Sequence, residues 1–339
     1  MKEKHIGYYL IVLASVVIIL AGIKSASSIV VPFLLSVFIA IILAPTFSYL
    51  KSKGLPSALS LITVLGLFML MIVLVVKLIS TSAYQFSNNV EDYSVKLTIY
   101  YQYVVDFANS VGYTLTTESL AEMVNAKQIM KFISSMVQGV GALFTNGFVV
   151  ILTVAFMLLE ADTFVEKIKI SSKNGLSHID EIFSKIKHYM IIKALISFVT
   201  AFIIYVALVL IGTDYPFLWA VLAFLLNFIP NIGSILAAVP AVLISLVELG
   251  FMSASLVAGI YVVVNILIGS IVEPKIMGKG LGVSTLVVFL SLIFWGWLLG
   301  IVGMFLSIPL TIMAKIIFNA NEKTQWIALL LDDGENLKK

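Results

Sequence analysis

The sequence predicts an all-α, polytopic helical membrane protein with about eight membrane segments, two of them broken or re-entrant hairpins. Three observations carry that expectation. The first is composition: of 339 residues 61% are hydrophobic and 12% charged, with a mean hydropathy of +1.11, whereas soluble domains run near half apolar and a quarter charged. The second is that charge-free stretches of 18 or more residues recur from Ile6 to Ala314, each long enough to cross a hydrocarbon core about 30 Å thick. They are apolar on every face, unlike barrel strands of about ten residues with alternating polarity. The third is that two of these stretches are too long for a single crossing.

The elements follow in order. Ile6–Ile23 succeeds two lysines and lacks a small-residue cleavage site, so it reads as a retained first helix rather than a signal peptide. Ser25–Leu50, holding Pro32 and Pro45, is the second run and ends in the basic turn from Lys51 to Pro56. Ser57–Val76 is the third, with Lys77 able to snorkel at its end. Over residues 80–140 Val90, Tyr93, Leu97, Tyr100, Tyr101 and Val104 recur at helical spacing among charges, which predicts an amphipathic helix outside the hydrocarbon. Such a helix packs on the bilayer, a second subunit or the transport core, or recognises a partner. Gly141–Leu159 is a fourth span, Glu160–Lys187 a charge-balanced solvated helix, and Ala194–Thr213 a fifth span reached through Lys193. The implied division is N-terminal transmembrane helices over 1–79, an extracytoplasmic segment over 80–140, a transport core over 141–318 and a cytoplasmic tail over 319–339.

Tyr215–Val247 is 33 residues without a charge and Gly280–Ala314 is 35. As continuous helices each would be about 50 Å long, against a core of about 30 Å. Each is interrupted near its middle, the first from Asn227 through Pro230 and Asn231 to Gly233, the second from Trp295 through Gly296 and Gly300 to Gly303. Proline removes a helical hydrogen bond and glycine lets the backbone turn or approach a neighbour. Two arrangements fit: long broken crossings, or re-entrant hairpins whose tips meet at mid-depth. With the N-terminus inside, the hairpin arrangement places 16 lysines in the cytoplasm and five outside, the broken crossings 14 and seven. The positive-inside rule favours the hairpins, and both arrangements leave the C-terminus cytoplasmic.

Several function classes are excluded. The chain has no cysteine, hence no disulfide, thiol catalysis or thiolate metal site. Its three histidines form no HExxH pair, and no GxxxxGK[ST] loop is present. All 21 basic residues are lysine, so no arginine fork reads phosphates or bases, and nucleic-acid binding has no support. No enzyme chemistry, cofactor or metal centre is expected, apart from coupling to H+ or Na+.

At the interrupted runs the chain resembles the autoinducer-2 exporter family of bacterial and archaeal membrane proteins. The resemblance rests on Asn227-Phe-Ile-Pro-Asn-Ile-Gly-Ser234 with Pro240, on Val272-Glu-Pro-Lys-Ile-Met-Gly-Lys-Gly-Leu-Gly282, and on Trp295-Gly-Trp-Leu-Leu-Gly300 through Gly303 to Pro309. Pro32-Phe33 and Ala44-Pro45 extend it to about residues 6–318. It implies a cell-membrane permease, a homo-oligomer of the pentameric kind and an elevator-like motion. Members are assigned to export of autoinducer-2 or to exchange of sodium or lithium for protons, so the class is fixed better than the cargo.

The expected substrate or ion site comprises Asn227, Pro230, Asn231, Gly233, Asn265 and Glu273. Glu273 ends an apolar run directly before Pro274, where its carboxylate binds a cation, carries a proton or pairs with Lys275. Glu160, Glu248 and Asp214 are weaker candidates. No acid lies within an apolar run. The polar groups there are Asn227, Asn231, Ser234, Asn265 and Ser270, which suit a small hydroxylated solute or a sodium ion on carbonyls, and equally suit interhelical hydrogen bonds. Gly278, Gly280, Gly296, Gly300 and Gly303 supply hinge and hairpin positions, the pair Gly296 and Gly300 through close helix packing. The leading expectation is a secondary transporter or exporter of a small polar solute. A sodium or lithium/proton antiporter and an oligomeric scaffold are the alternatives, with the lipid bilayer and copies of the chain as partners.

Overall fold

Helix is the backbone state that satisfies its own polar groups in hydrocarbon, and the computed structural model is built from it throughout. It describes residues 2–114, 116–117, 126–142, 147–171, 175–230, 232–277 and 282–334, among which no strand forms. In chain order the helices are α1 (Lys2–Ser25), α2 (Ser27–Ser52), α3 (Ser57–Ser110), α4 (Ala126–Ala142), α5 (Gly147–Ser171), α6 (Gly175–Ile211), α7 (Pro216–Leu226), α8 (Ile232–Leu249) and α9 (Phe251–Val264). A π-helical stretch (Asn265–Val272), α10 (Glu273–Met277), α11 (Thr285–Phe305), α12 (Ser307–Asn319) and α13 (Gln325–Leu331) complete them. Six described helices are long and apolar enough to cross a membrane.

The third span does not stop where its hydrophobicity does. α3 runs 54 residues, about 81 Å, because no proline or glycine lies between Ile79 and Ser110 to end it. The division expected between residues 79 and 80 therefore falls inside one helix. α4 folds back along it and buries Met130, Ile133 and Val137 in the cluster that holds Phe86, Tyr93 and Leu97. The same cluster takes Trp219 and Leu222 of α7 and Val257 and Tyr261 of α9. Of the packing surfaces considered for this segment, the structure shows the core. A second cluster joins α2 and α6 to α11 and α12 through Phe38, Tyr189, Leu298 and Leu310. A third joins α2, α3 and α5 through Phe47, Val64 and Val154.

Both overlong runs fold back on themselves. α7 is 11 residues and α8 18, and the Thr213 and Ser245 hydroxyls, at the two ends of the run, lie 2.9 Å apart. That contact requires antiparallel arms. At the turn, a side-chain Cβ on Gly233 would overlap the Leu226 carbonyl oxygen, so only glycine closes the arms this tightly. In the second run Gly300 turns the chain at φ +68. A Cβ on Gly303 would overlap the Trp295 carbonyl oxygen, and the Trp295 indole N–H donates to Thr311 Oγ1 of the returning arm at 3.0 Å. Both runs are hairpins.

The expected tail is partly built into the structure. α13 buries Ala328, and the Ser284 N–H at the base of the second hairpin donates to the Leu331 carbonyl. Lys315 donates to the Gly282 carbonyl and pairs with Asp332 at 2.6 Å. That ammonium holds the Asp332 carboxyl below the usual carboxylate range.

In this cysteine-free chain the first hairpin can be tested directly. Thr213→Cys with Ser245→Cys, oxidised in membranes, is expected to become protected from a PEG-maleimide, whereas Thr213→Cys with Asn227→Cys stays fully reactive. Equal reactivity of the two pairs after oxidation would refute the antiparallel arms.

Candidate functional site

Three elements converge on one polar seam. α6 contributes Lys193, Ser197 and Thr200, spaced four and three residues apart and so on one helical face. Lys193 and Ser197 are buried, at 4% and 0% exposure. Facing them, α9 and its continuation contribute Tyr261, Asn265 and Glu273. The helix is π-wound from Asn265 to Val272, and the Glu273 N–H donates to the Ile268 carbonyl five residues back. Such local widening is commonest at functional positions. Here the Asn265 Oδ1 lies 3.0 Å from where a Cβ of Gly269 would stand, so glycine leaves the amide room.

The third element is the turn of the first hairpin. Asn227 ends α7 and its Nδ2 donates to Ser197 Oγ at 2.9 Å, both side chains buried. Beside this contact lies a cavity of about 10 Å³ lined by Thr200, Ser234, Tyr261 and Asn265 and by apolar Ile204, Ala223, Ala237 and Val264. That is room for about one water. The Thr200 and Tyr261 hydroxyls are buried with no hydrogen-bond partner among the described residues. Buried polar atoms are nearly always bonded, and leaving one open costs about 1–3 kcal/mol. Two such hydroxyls lining one cavity mark a place where a partner is expected.

At one end of the seam the Lys193 ammonium meets the Glu273 carboxylate at 2.5 Å. The partner of Glu273 is therefore on α6, and Lys275, the partner considered from sequence, is exposed. At the base of the first hairpin a second polar group forms. Tyr215, held at φ +57 before Pro216, has its hydroxyl 2.9 Å from Asn89 Nδ2 and 3.1 Å from the Tyr93 hydroxyl. Two acids stand at the same base, Glu248 half-buried near the end of α8 and Asp214 exposed in the turn before Tyr215.

The expected site residues divide accordingly. Asn227 and Asn265 lie on the seam, and Glu273 closes it. Pro230 and Gly233 shape the turn: the Pro230 carbonyl accepts from Ile232 N–H, and Gly233 serves close approach rather than ligand contact. Asn231, Gly278 and Gly280 lie outside the described residues. Gly296 and Gly303 pack against Met304 and Trp295 within the second hairpin, while Gly300 has open space around it and serves the turn, not a helix-packing stripe. Ser270 and Glu160 are exposed. Phe228, at the turn of the first hairpin, packs on the apolar cluster to which the second hairpin contributes Leu298, Leu299 and Val302. Lys193, Ser197, Thr200 and Tyr261 were not among the expected site residues. Their sequence signal is the spacing 193, 197, 200 on a run otherwise read only for its hydrophobicity.

A family model described as "AI-2E family transporter" matches residues 13–323. A provisionally named transport protein of Haemophilus influenzae is 40% identical over 338 residues, 96% of each chain. The AI-2 transport protein TqsA of Escherichia coli is 37% identical over 326 residues, 95% of each chain. The provisionally named transport protein YhhT of Escherichia coli is 33% identical over 330 residues, 96% of this chain and 95% of the relative.

Asn227→Ala leaves the Ser197 hydroxyl without its donor and is expected to cost about 1–3 kcal/mol of stability. With Ser197→Ala the double variant should lose less than the sum of the singles, by about 1 kcal/mol in a double-mutant cycle of unfolding. Strict additivity would show that the contact holds nothing together.

Proposed function

The chain belongs to the AI-2E transporter family and is a multi-pass membrane transporter, and on that premise we propose that it exports a small polar solute, with a furanosyl signal of the autoinducer-2 type as its leading cargo. The observation that carries this reading is the cavity at Thr200, Ser234, Tyr261 and Asn265, with its two unpartnered hydroxyls. Neutral donors and acceptors on apolar walls suit a hydroxylated, uncharged solute, and the printed name of one relative is that of an AI-2 transport protein. At about 10 Å³ the cavity is smaller than a furanose, so loading requires α7 and α8 to separate from α6 and α9. In this reading the first hairpin travels with the cargo in an elevator-like cycle, within a homo-oligomer of the pentameric kind in the cell membrane.

The lysine distribution orients the chain with both termini cytoplasmic, the first hairpin entering from outside and the second from inside. A second reading, exchange of sodium or lithium for protons, draws on the two acids Asp214 and Glu248 at the base of the first hairpin, where the Thr213 and Ser245 hydroxyls close the arms.

Inverted membrane vesicles containing the protein should accumulate autoinducer-2. Thr200→Val with Tyr261→Phe should lower that accumulation about tenfold or more, the loss of two hydrogen bonds of about 0.5–1.5 kcal/mol each. Because neither hydroxyl has a partner among the described residues, the unfolding midpoint should stay the same or rise. Vesicles that move no autoinducer-2 but release protons on addition of sodium, abolished by Glu248→Gln, would favour the antiporter instead. A cysteine replacing Lys275 should react with an impermeant maleimide only from the cytoplasmic side, and labelling from outside would reverse the orientation.

A further inference from the structure

The transport reading leaves one buried charge pair unused. Lys193 is 4% exposed, and its ammonium reaches across from α6 to the Glu273 carboxylate at 2.5 Å. Met190 on α6 and Met277 on α10, three and four residues from the two charges, are buried together in one apolar cluster. A buried ion pair in such a setting is roughly neutral against apolar residues of equal volume, so stability alone does not account for two charges here.

The neighbours of Lys193 suggest what the charges do. One helical turn to either side on the same face of α6 stand Tyr189 and Ser197. The Tyr189 hydroxyl is buried without a hydrogen-bond partner among the described residues, and Ser197 is fully buried beside the hairpin turn. A buried carboxylate beside non-regular backbone is the kind of group on which membrane carriers hold a monovalent cation. The carboxylate is already taken by a cation that belongs to the chain. Lysine suits this place because its ammonium is a compact single charge on a flexible stem, where an arginine would bring a planar fork.

We propose that Lys193 is a tethered cation: its ammonium fills the seat on Glu273 that a sodium or lithium ion would otherwise occupy, which makes transport by this chain independent of those ions at that position. The inference rests on reading the seam as the transport site, and it is independent of the cargo. Removing the lysine side chain exposes the seat, with the Glu273 carboxylate as its charged donor and the buried Tyr189 hydroxyl one helical turn away along α6.

The test uses purified full-length protein unfolded thermally in choline, sodium or lithium chloride at equal ionic strength. The unsubstituted protein should unfold at one midpoint in all three salts. Lys193→Ala should unfold lower in choline and recover about 2–5 °C in sodium or lithium with a saturable dose dependence. Lys193→Ala with Glu273→Gln should show no such recovery, since the seat has lost its charge. If Lys193→Ala cannot be purified, Lys193→Gln carries the same expectation. Salt-specific recovery of Lys193→Ala in a protein that exports no autoinducer-2 would uphold the seat while sinking the cargo assignment. A midpoint of Lys193→Ala equal in all three salts overturns the inference. So does recovery that persists in the double variant, sodium stabilisation of the unsubstituted protein, or failure of both single variants to fold in any salt.

Discussion

A backbone amide left open in hydrocarbon costs several kcal/mol, so a membrane chain can break its helices only where protein closes around the break. The architecture follows from meeting that constraint twice. In each hairpin a glycine of the returning arm sits against a carbonyl of the first arm, Gly233 on Leu226 and Gly303 on Trp295, where no other residue has room. The bases are then pinned by side chains: Thr213 to Ser245 in the first, Lys315 to Gly282 and Asp332 in the second. The first hairpin is further wedged by Phe86, whose ring meets Trp219 edge-on at 5.6 Å, so the long helix α3 acts as its buttress.

Once the first hairpin is closed, its turn must put Asn227 somewhere, and an amide in an apolar core needs a partner. Ser197 supplies it from α6. That contact brings the polar face of α6 against Tyr261 and Asn265 of the following helix, and the π-helical widening at Asn265 leaves a gap where regular helices would have packed shut. The cavity is thus a consequence of how the hairpin break is satisfied. Under the proposed function, a hydroxylated ligand would bond the Thr200 and Tyr261 hydroxyls that border it.

The helical, polytopic class and the two interrupted runs were legible in the sequence because both are problems of length: a charge-free run of 33 residues is too long for a simple straight crossing, and Pro230 and Gly233 mark its break. That the first break closes a hairpin rather than bends a crossing is shown only by contacts across the arms, such as Thr213 with Ser245. The continuation of α3 was less legible, since hydropathy falls at residue 80 while no proline or glycine interrupts the chain before Ser110. Asn227, Asn265 and Glu273 stood out as polar residues in or beside apolar runs. Thr200 and Tyr261 did not, because a threonine and a tyrosine on a membrane helix are usually packing residues, and only the fold shows that their hydroxyls border the same gap. The pairing of Lys193 with Glu273, 80 residues apart in sequence, is a tertiary fact that spacing cannot reveal. The nearer Lys275 was the natural candidate and is exposed.

Charge balance along the seam bears on how such a structure can move. An uncompensated charge carried across a membrane potential does electrical work of about 2.3 kcal/mol per 100 mV, which would tie each direction of the cycle to the voltage. The polar residues at the cavity are neutral, and the one charged pair at its end cancels internally. A hairpin that shifts against this seam therefore displaces little net charge, whether or not it carries an uncharged solute. In the proposed cycle the energetic difference between loaded and empty states would lie in hydrogen bonds to Thr200, Tyr261, Ser234 and Asn265, about 0.5–1.5 kcal/mol each, which a solute gradient can supply. Introducing a free carboxylate at the cavity would shift that balance to the membrane potential, and the chain instead keeps its nearest acid, Glu273, neutralised by a lysine of its own.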